Sequence, residues 1–162
     1  MKLRITYLHD PIMHGVLAGL SGGIVQTIYG VVVKSLHLTN KVFYDYGEVL
    51  ILGQLKPGAG FSIGTIAHLI SATCWGIAFS FIMKFGRKKY YVVKGIGLGM
   101  FIWLLFMGLA TYYQMPEFKV LEINEAYALL GGASIYGLIM SLVYKYLDQK
   151  MLRNPSSLEG FN

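Results

Sequence analysis

The chain has 162 residues, of which 55% are hydrophobic and only 14% charged, with a mean hydropathy of +0.54. Soluble domains carry about 25% charged residues, so this composition excludes an ordinary soluble domain. The formal charge of +6 does not point to nucleic acid, because Lys and Arg stand at the edges of apolar runs, where anionic lipid headgroups attract them.

Lys2 and Arg4 precede an apolar stretch that superficially resembles a secretory signal. That stretch continues to Val33 without a small-residue cleavage site, so it reads as a retained first span. A helix that crosses a ~30 Å hydrocarbon layer at ~1.5 Å per residue needs about 20 apolar residues. Four segments without a formal charge meet that length: 19 residues between His14 and Lys34, 27 from Pro57 to Met83, 22 from Gly95 to Pro116 and 19 from Ala126 to Tyr144. They place spans at about 12–33, 59–83, 95–115 and 126–144. Runs of this length are too long and too uniformly apolar for β-barrel strands, so each is expected to be a helix that satisfies its own backbone. The predicted fold is an all-α integral membrane protein, an up-and-down bundle of four transmembrane helices forming one domain over 1–153. Residues 154–162, with Pro155, Ser156, Ser157 and Gly160, are expected to be a disordered cytoplasmic tail.

The first connection, Ser35 to Lys56, is much the longest at 22 residues. Its second half, Val49 to Leu55, is too short to cross a bilayer and too apolar to stay in water. It is expected to lie at the outer interface or fold back over the bundle, as a connector or as a lid or docking element. Basic residues set the orientation, since short basic loops resist translocation. Ten lie on the side of the N-terminus, the second loop and the C-terminus; four lie on the side of the first and third loops. Both termini are therefore expected in the cytoplasm. Tyr90, Tyr91, Tyr112, Tyr113, Tyr144 and Tyr146 stand at span ends, as interfacial aromatic residues do. The cluster Arg87, Lys88 and Lys89 in the second loop reads as a contact for anionic lipid headgroups.

Twenty glycines are well above the usual ~7%, and their spacing is informative. Gly15, Gly19 and Gly23 recur every four residues in the first span. His68, Ala72, Gly76 and Ser80 do so in the second, and Ala133, Gly137 and Ser141 in the fourth. Such stripes put small residues on one face, where backbones can approach closely within one chain or between copies. Gly95, Gly97 and Gly99 open an apolar run and follow no predicted strand, so they are read as close-approach residues of the third span instead of a phosphate loop.

Ionisable residues are absent from the four predicted spans, which leaves Gln26 and His68 as the candidate intramembrane polar site. Aligned by span centres, the two lie at similar depth, where they could hydrogen-bond as interhelical glue or line a path for protons or a small solute. His14 and His68 lie at different depths, so no pair of histidines is placed to hold a haem. The only cysteine, Cys74, excludes an intrachain disulfide and a thiolate metal cluster. With no carboxylate in the spans and no Gly-x-Ser-x-Gly around any serine, neither catalytic nor metal nor cofactor-binding residues are expected.

The glycine-rich first span (Gly15 to Gly30), Ile66-Ala67-His68-Leu69, the run Lys94-Gly95-Ile96-Gly97-Leu98-Gly99 leading to Trp103, and Ile135-Tyr136-Gly137 resemble the small four-helix bacterial membrane proteins typified by the YqhR-like group. The resemblance implies a bacterial inner-membrane location and carries no activity with it. The leading expectation is a non-enzymatic membrane protein that acts as an accessory subunit or scaffold through glycine-rich helix packing, as a homo-oligomer or with a membrane partner. The alternative is an oligomeric conduit or transporter component for a small solute or protons.

Overall fold

A computed structural model describes residues 10–56, 58 and 60–153, and five helices run through them. They are α1 (Pro11–Ser35), α2 (Phe43–Leu52), α3 (Gly60–Phe85), α4 (Tyr91–Tyr112) and α5 (Ile123–Arg153). Four of the five, all but α2, are long and apolar enough to cross a membrane. The expected tail at 154–162 lies outside the described residues.

Local chemistry explains most helix ends. Asp10 caps α1 by accepting the Ile12 N–H at 2.8 Å, and Pro11 occupies the first turn, where its missing N–H costs nothing. α2 begins where the Asp45 carboxylate reaches back to the Val42 N–H at 3.0 Å and ends at Gly53, whose φ of 73° is the left-handed stop that glycine adopts freely. α4 starts four residues before the predicted span, at Tyr91, and ends at Tyr112, just before Gln114 turns into the left-handed region. α5 starts at Ile123 with the Glu125 carboxylate accepting the Glu122 N–H, and it runs well past the predicted limit of 144. The extension follows from Asp148, whose two carboxylate oxygens are taken by Lys88 at 2.8 Å and Tyr91 at 2.9 Å. These two bonds hold the last turns of α5 against the start of α4.

The long connection after α1 differs most from expectation. Its first half folds into the bundle, since residues 43–52 form a helix in which Phe43, Tyr44, Asp45, Tyr46, Gly47, Glu48 and Val49 are buried, while in the expected surface stretch Val49 to Leu55 the residues Leu50, Ile51 and Leu52 are exposed. α2 runs antiparallel to the first turns of α3. Gly47 lies on Gly64, Glu48 lies against Gly60, and Phe43, at the inner end, stacks on His68 with ring centroids 6.1 Å apart. At ~1.5 Å per residue, His68 is about 12 Å inside α3 from Gly60, so α2 enters the end of the bundle as a short plug.

Residue size sets how the long helices pack. Along α1 and α3, a Cβ on Gly15 would come within 2.6 Å of the Gly76 carbonyl oxygen, and one on Gly19 would overlap the Ala72 carbonyl oxygen. Along α4 and α5, Gly95 faces the backbone of Gly137, and Gly99 faces that of Ala133. α1 and α5 meet through Gly22 on Tyr136 and Gly131 on Tyr29. Among the described residues, the fourth side of the bundle, between α3 and α4, has no such small-residue seam. Large side chains bridge it instead, with Trp75 set edge-on to Phe106 at 6.4 Å and Phe106 in turn against Tyr46 at 5.2 Å. Outward-facing positions stay apolar, as at Ile66, Ile70, Phe101 and Leu104, each more than half exposed. That pattern suits lipid as the surrounding medium.

Candidate functional site

The widely set α3 and α4 leave room at the centre of the bundle. A cavity of ≈ 20 Å³ lies there, enough for one water molecule, bordered by Gln26 of α1, Phe43 of α2, His68, Ser71 and Trp75 of α3, and Tyr136 of α5. Gln26 and His68 are thus brought together at one cavity wall, and both are buried. The His68 ring is hydrogen-bonded to the backbone of Gly23, one turn from Gln26, and its Nε2 has no hydrogen-bond partner among the described residues. Tyr136 closes the cavity by donating its hydroxyl to the Ala72 carbonyl at 2.6 Å. The bond is possible because the small residues on α1 and α3 let that stretch of backbone sit close to the axis. Aromatic rings shut both flanks: Phe43 from the α2 side and Trp75 with Phe106 across the α3/α4 seam.

The predicted packing residues Gly15, Gly19, Gly23, Ala72 and Gly76 all meet on one α1/α3 face, while Gly137 belongs to the α4/α5 face. Gly97 stands apart from Gly95 and Gly99, with nothing within 4 Å of a Cβ placed there, because positions two apart lie on nearly opposite sides of a helix. His14 is buried edge-on to Tyr144 at 6.1 Å and does not border the central cavity. In the basic loop, Lys88 is committed to Asp148, while Arg87 and Lys89 remain exposed on the surface.

Four acidic side chains are buried among the described residues: Asp45, Glu48, Glu125 and Asp148. None lies within the four uncharged runs of the sequence; all are in α2 or at the ends of α5. Asp45 pairs with Lys34 at 2.8 Å, Glu125 with Lys41 at 3.1 Å, and Asp148 with Lys88 at 2.8 Å. These pairs tie α1 to α2, the start of α2 to α5, and the α3–α4 loop to α5. Burial, offset in part by Lys34, holds the Asp45 carboxyl above its ordinary value of 3.8. Burial and the neighbouring Asp45 charge push the Tyr44 phenol up to about 12, so it is neutral at physiological pH. A sequence signal for Asp148 does exist, since Gly137, Ser141, Tyr144 and Asp148 continue one helical stripe. Asp45 and Glu48 carry no comparable signal, because acids beside aromatic residues in a loop read equally well as solvated.

No curated protein and no solved structure matches the chain. The model of one family matches residues 9–154, which include all five helices but for the end of none. On that match the chain belongs to DUF6789, a family of unknown function.

Proposed function

We propose that this chain is a non-enzymatic, multi-pass membrane protein that conducts protons by way of His68 and Gln26, as a monomer or a homo-oligomer. The observation that carries the reading is the His68 ring: it is 8% exposed within a long apolar helix, it borders a water-sized cavity, and its Nε2 has no hydrogen-bond partner among the described residues. A buried polar atom without a partner is costly in an apolar layer, and such groups mark paths and sites. An imidazole takes a proton on one nitrogen and releases it from the other, and Gln26 and Ser71 at the same cavity offer further hydrogen-bonding groups to a water there. Phe43 stacked on His68 makes α2 the barrier on the side of the 36–59 connection.

The test is proton flux into liposomes containing the purified full chain, driven by a potassium diffusion potential and read with an entrapped pH dye. Flux above that of empty liposomes is expected. His68→Gln, which keeps a polar group for Gly23, should cut it by about tenfold or more. Phe43→Ala should raise it. Flux no greater than in empty liposomes, or unchanged in His68→Gln, overturns the reading.

A second reading, an accessory subunit or scaffold, draws on α4. That helix packs closely on α5 and leaves Met100, Phe101 and Leu104 facing outward, whereas the glycine stripes are occupied within the chain. Native mass spectrometry of gently extracted protein would show a stoichiometric second protein if this reading holds. Arg87 and Lys89 are suited to anionic headgroups, consistent with a cytoplasmic face for that loop in a bacterial inner membrane.

A further inference from the structure

Between α1, α2 and the start of α3 lies a second cavity of ≈ 360 Å³, bordered by Lys34, Tyr44, Asp45, Glu48, Lys56 and Phe61. Two lysines and two acids border it, but only Lys34 and Asp45 among them pair. Of the four buried acids among the described residues, three have a lysine within 3.1 Å. Glu48 is 4% exposed, yet no lysine, arginine or histidine among the described residues lies within ion-pair distance of it. Lys34 is unavailable, since its ammonium is held by both Asp45 oxygens at 2.8 Å. The Glu48 carboxylate lies against Gly60, where a Cβ would overlap it, and its Oε1 accepts the Lys56 N–H. Its Oε2 has no hydrogen-bond partner among the described residues. A carboxylate this buried and outside any ion pair among the described residues favours a positive charge brought into the cavity.

We propose that this cavity binds a small primary ammonium compound with a short apolar body, its ammonium group on Glu48 Oε2. The ring of Phe61, nearly half exposed and edge-on to Tyr44 at 5.0 Å, supplies an apolar wall and a π face for the cation. A metal ion is the poorer occupant, because hard cations gather several oxygen ligands, and no group of three or more His, Cys, Asp or Glu among the described residues could hold one. The site is separate from the proton path, since no residue borders both cavities.

The test is a ligand-detected NMR titration of the full chain in lipid nanodiscs with butylammonium, butyrate and butanol, subtracting empty nanodiscs. Saturable binding is expected for butylammonium alone. Glu48→Gln, which retains an acceptor for the Lys56 N–H, should weaken it by about tenfold or more. Lys56→Met removes a competing positive charge while keeping the backbone N–H, and should tighten it by about two- to fivefold. Equal binding of the three probes, unchanged affinity in Glu48→Gln, or weaker butylammonium binding in Lys56→Met overturns the proposal. Because Lys56 is exposed, that second variant tests the site even if Glu48→Gln does not fold.

Discussion

Asp45 is 3% exposed, and the lysine that pairs with it is about a third exposed at its side chain, so the two partners of this ion pair are not equivalent. Removing Lys34 leaves a buried carboxylate without its cation, whereas replacing Asp45 with Asn removes the charge that burial penalises and keeps an acceptor for the Val42 N–H. Lys34→Met should therefore destabilise the fold by about 1–2 kcal/mol, less than the ~3–5 kcal/mol of a fully buried pair because water screens Lys34. Asp45→Asn should leave the unfolding midpoint at pH 7 unchanged or higher; thermal unfolding of both variants checks the contrast. The sign with pH follows from the raised carboxyl. Its folded pKa lies above the ordinary 3.8, so Asp45 takes up a proton on folding between those values. Stability from this group rises as the pH falls through that window, and Asp45→Asn should remove that rise.

At the scale of helices, the close approaches distinguish glycines that matter from those that do not. A Cβ on Gly76 would overlap the Gly15 carbonyl oxygen, and one on Gly137 would overlap the Gly95 carbonyl oxygen, so backbone on backbone leaves nothing flexible to move aside. Gly76→Ala and Gly137→Ala should each cost about 1–3 kcal/mol, as overpacked interiors do. Gly97 and Gly108 meet nothing within 4 Å, so Gly97→Ala and Gly108→Ala should be neutral or stabilising by about 0.5–1 kcal/mol. Thermal unfolding in one detergent would rank the four, and equal losses at all of them would remove the packing argument. The four-residue stripes were legible because period alone puts residues on one face. Gly97 was misjudged with its neighbours because proximity in sequence does not mean a shared face.

For the molecule as a whole, three sides of the bundle are sealed by small residues and one by aromatic side chains, and that asymmetry is what leaves the central cavity. We propose the orientation of the whole from charge, with the ten basic residues of the N-terminus, second loop and C-terminus on the cytoplasmic side and four on the other. With Cys74 replaced by Ser, Glu117→Cys should react with a membrane-impermeant thiol reagent added to intact cells, and Lys89→Cys should react only after the cells are opened. The reverse pattern would invert the assignment of sides.

Length and apolarity alone were enough to place four long helices, because a run of about 20 uncharged residues has few other stable forms. Polar residues inside such runs stand out for the same reason, which is why Gln26 and His68 could be named before any geometry was known. The tertiary structure alone decided that they share a cavity, that α2 turns inward to stack Phe43 on His68, and that Asp45 and Glu48 are buried. Those facts depend on how far apart α3 and α4 stand and on what fills the gap. Side-chain volumes from four separate helices settle that distance together, and no single segment carries it.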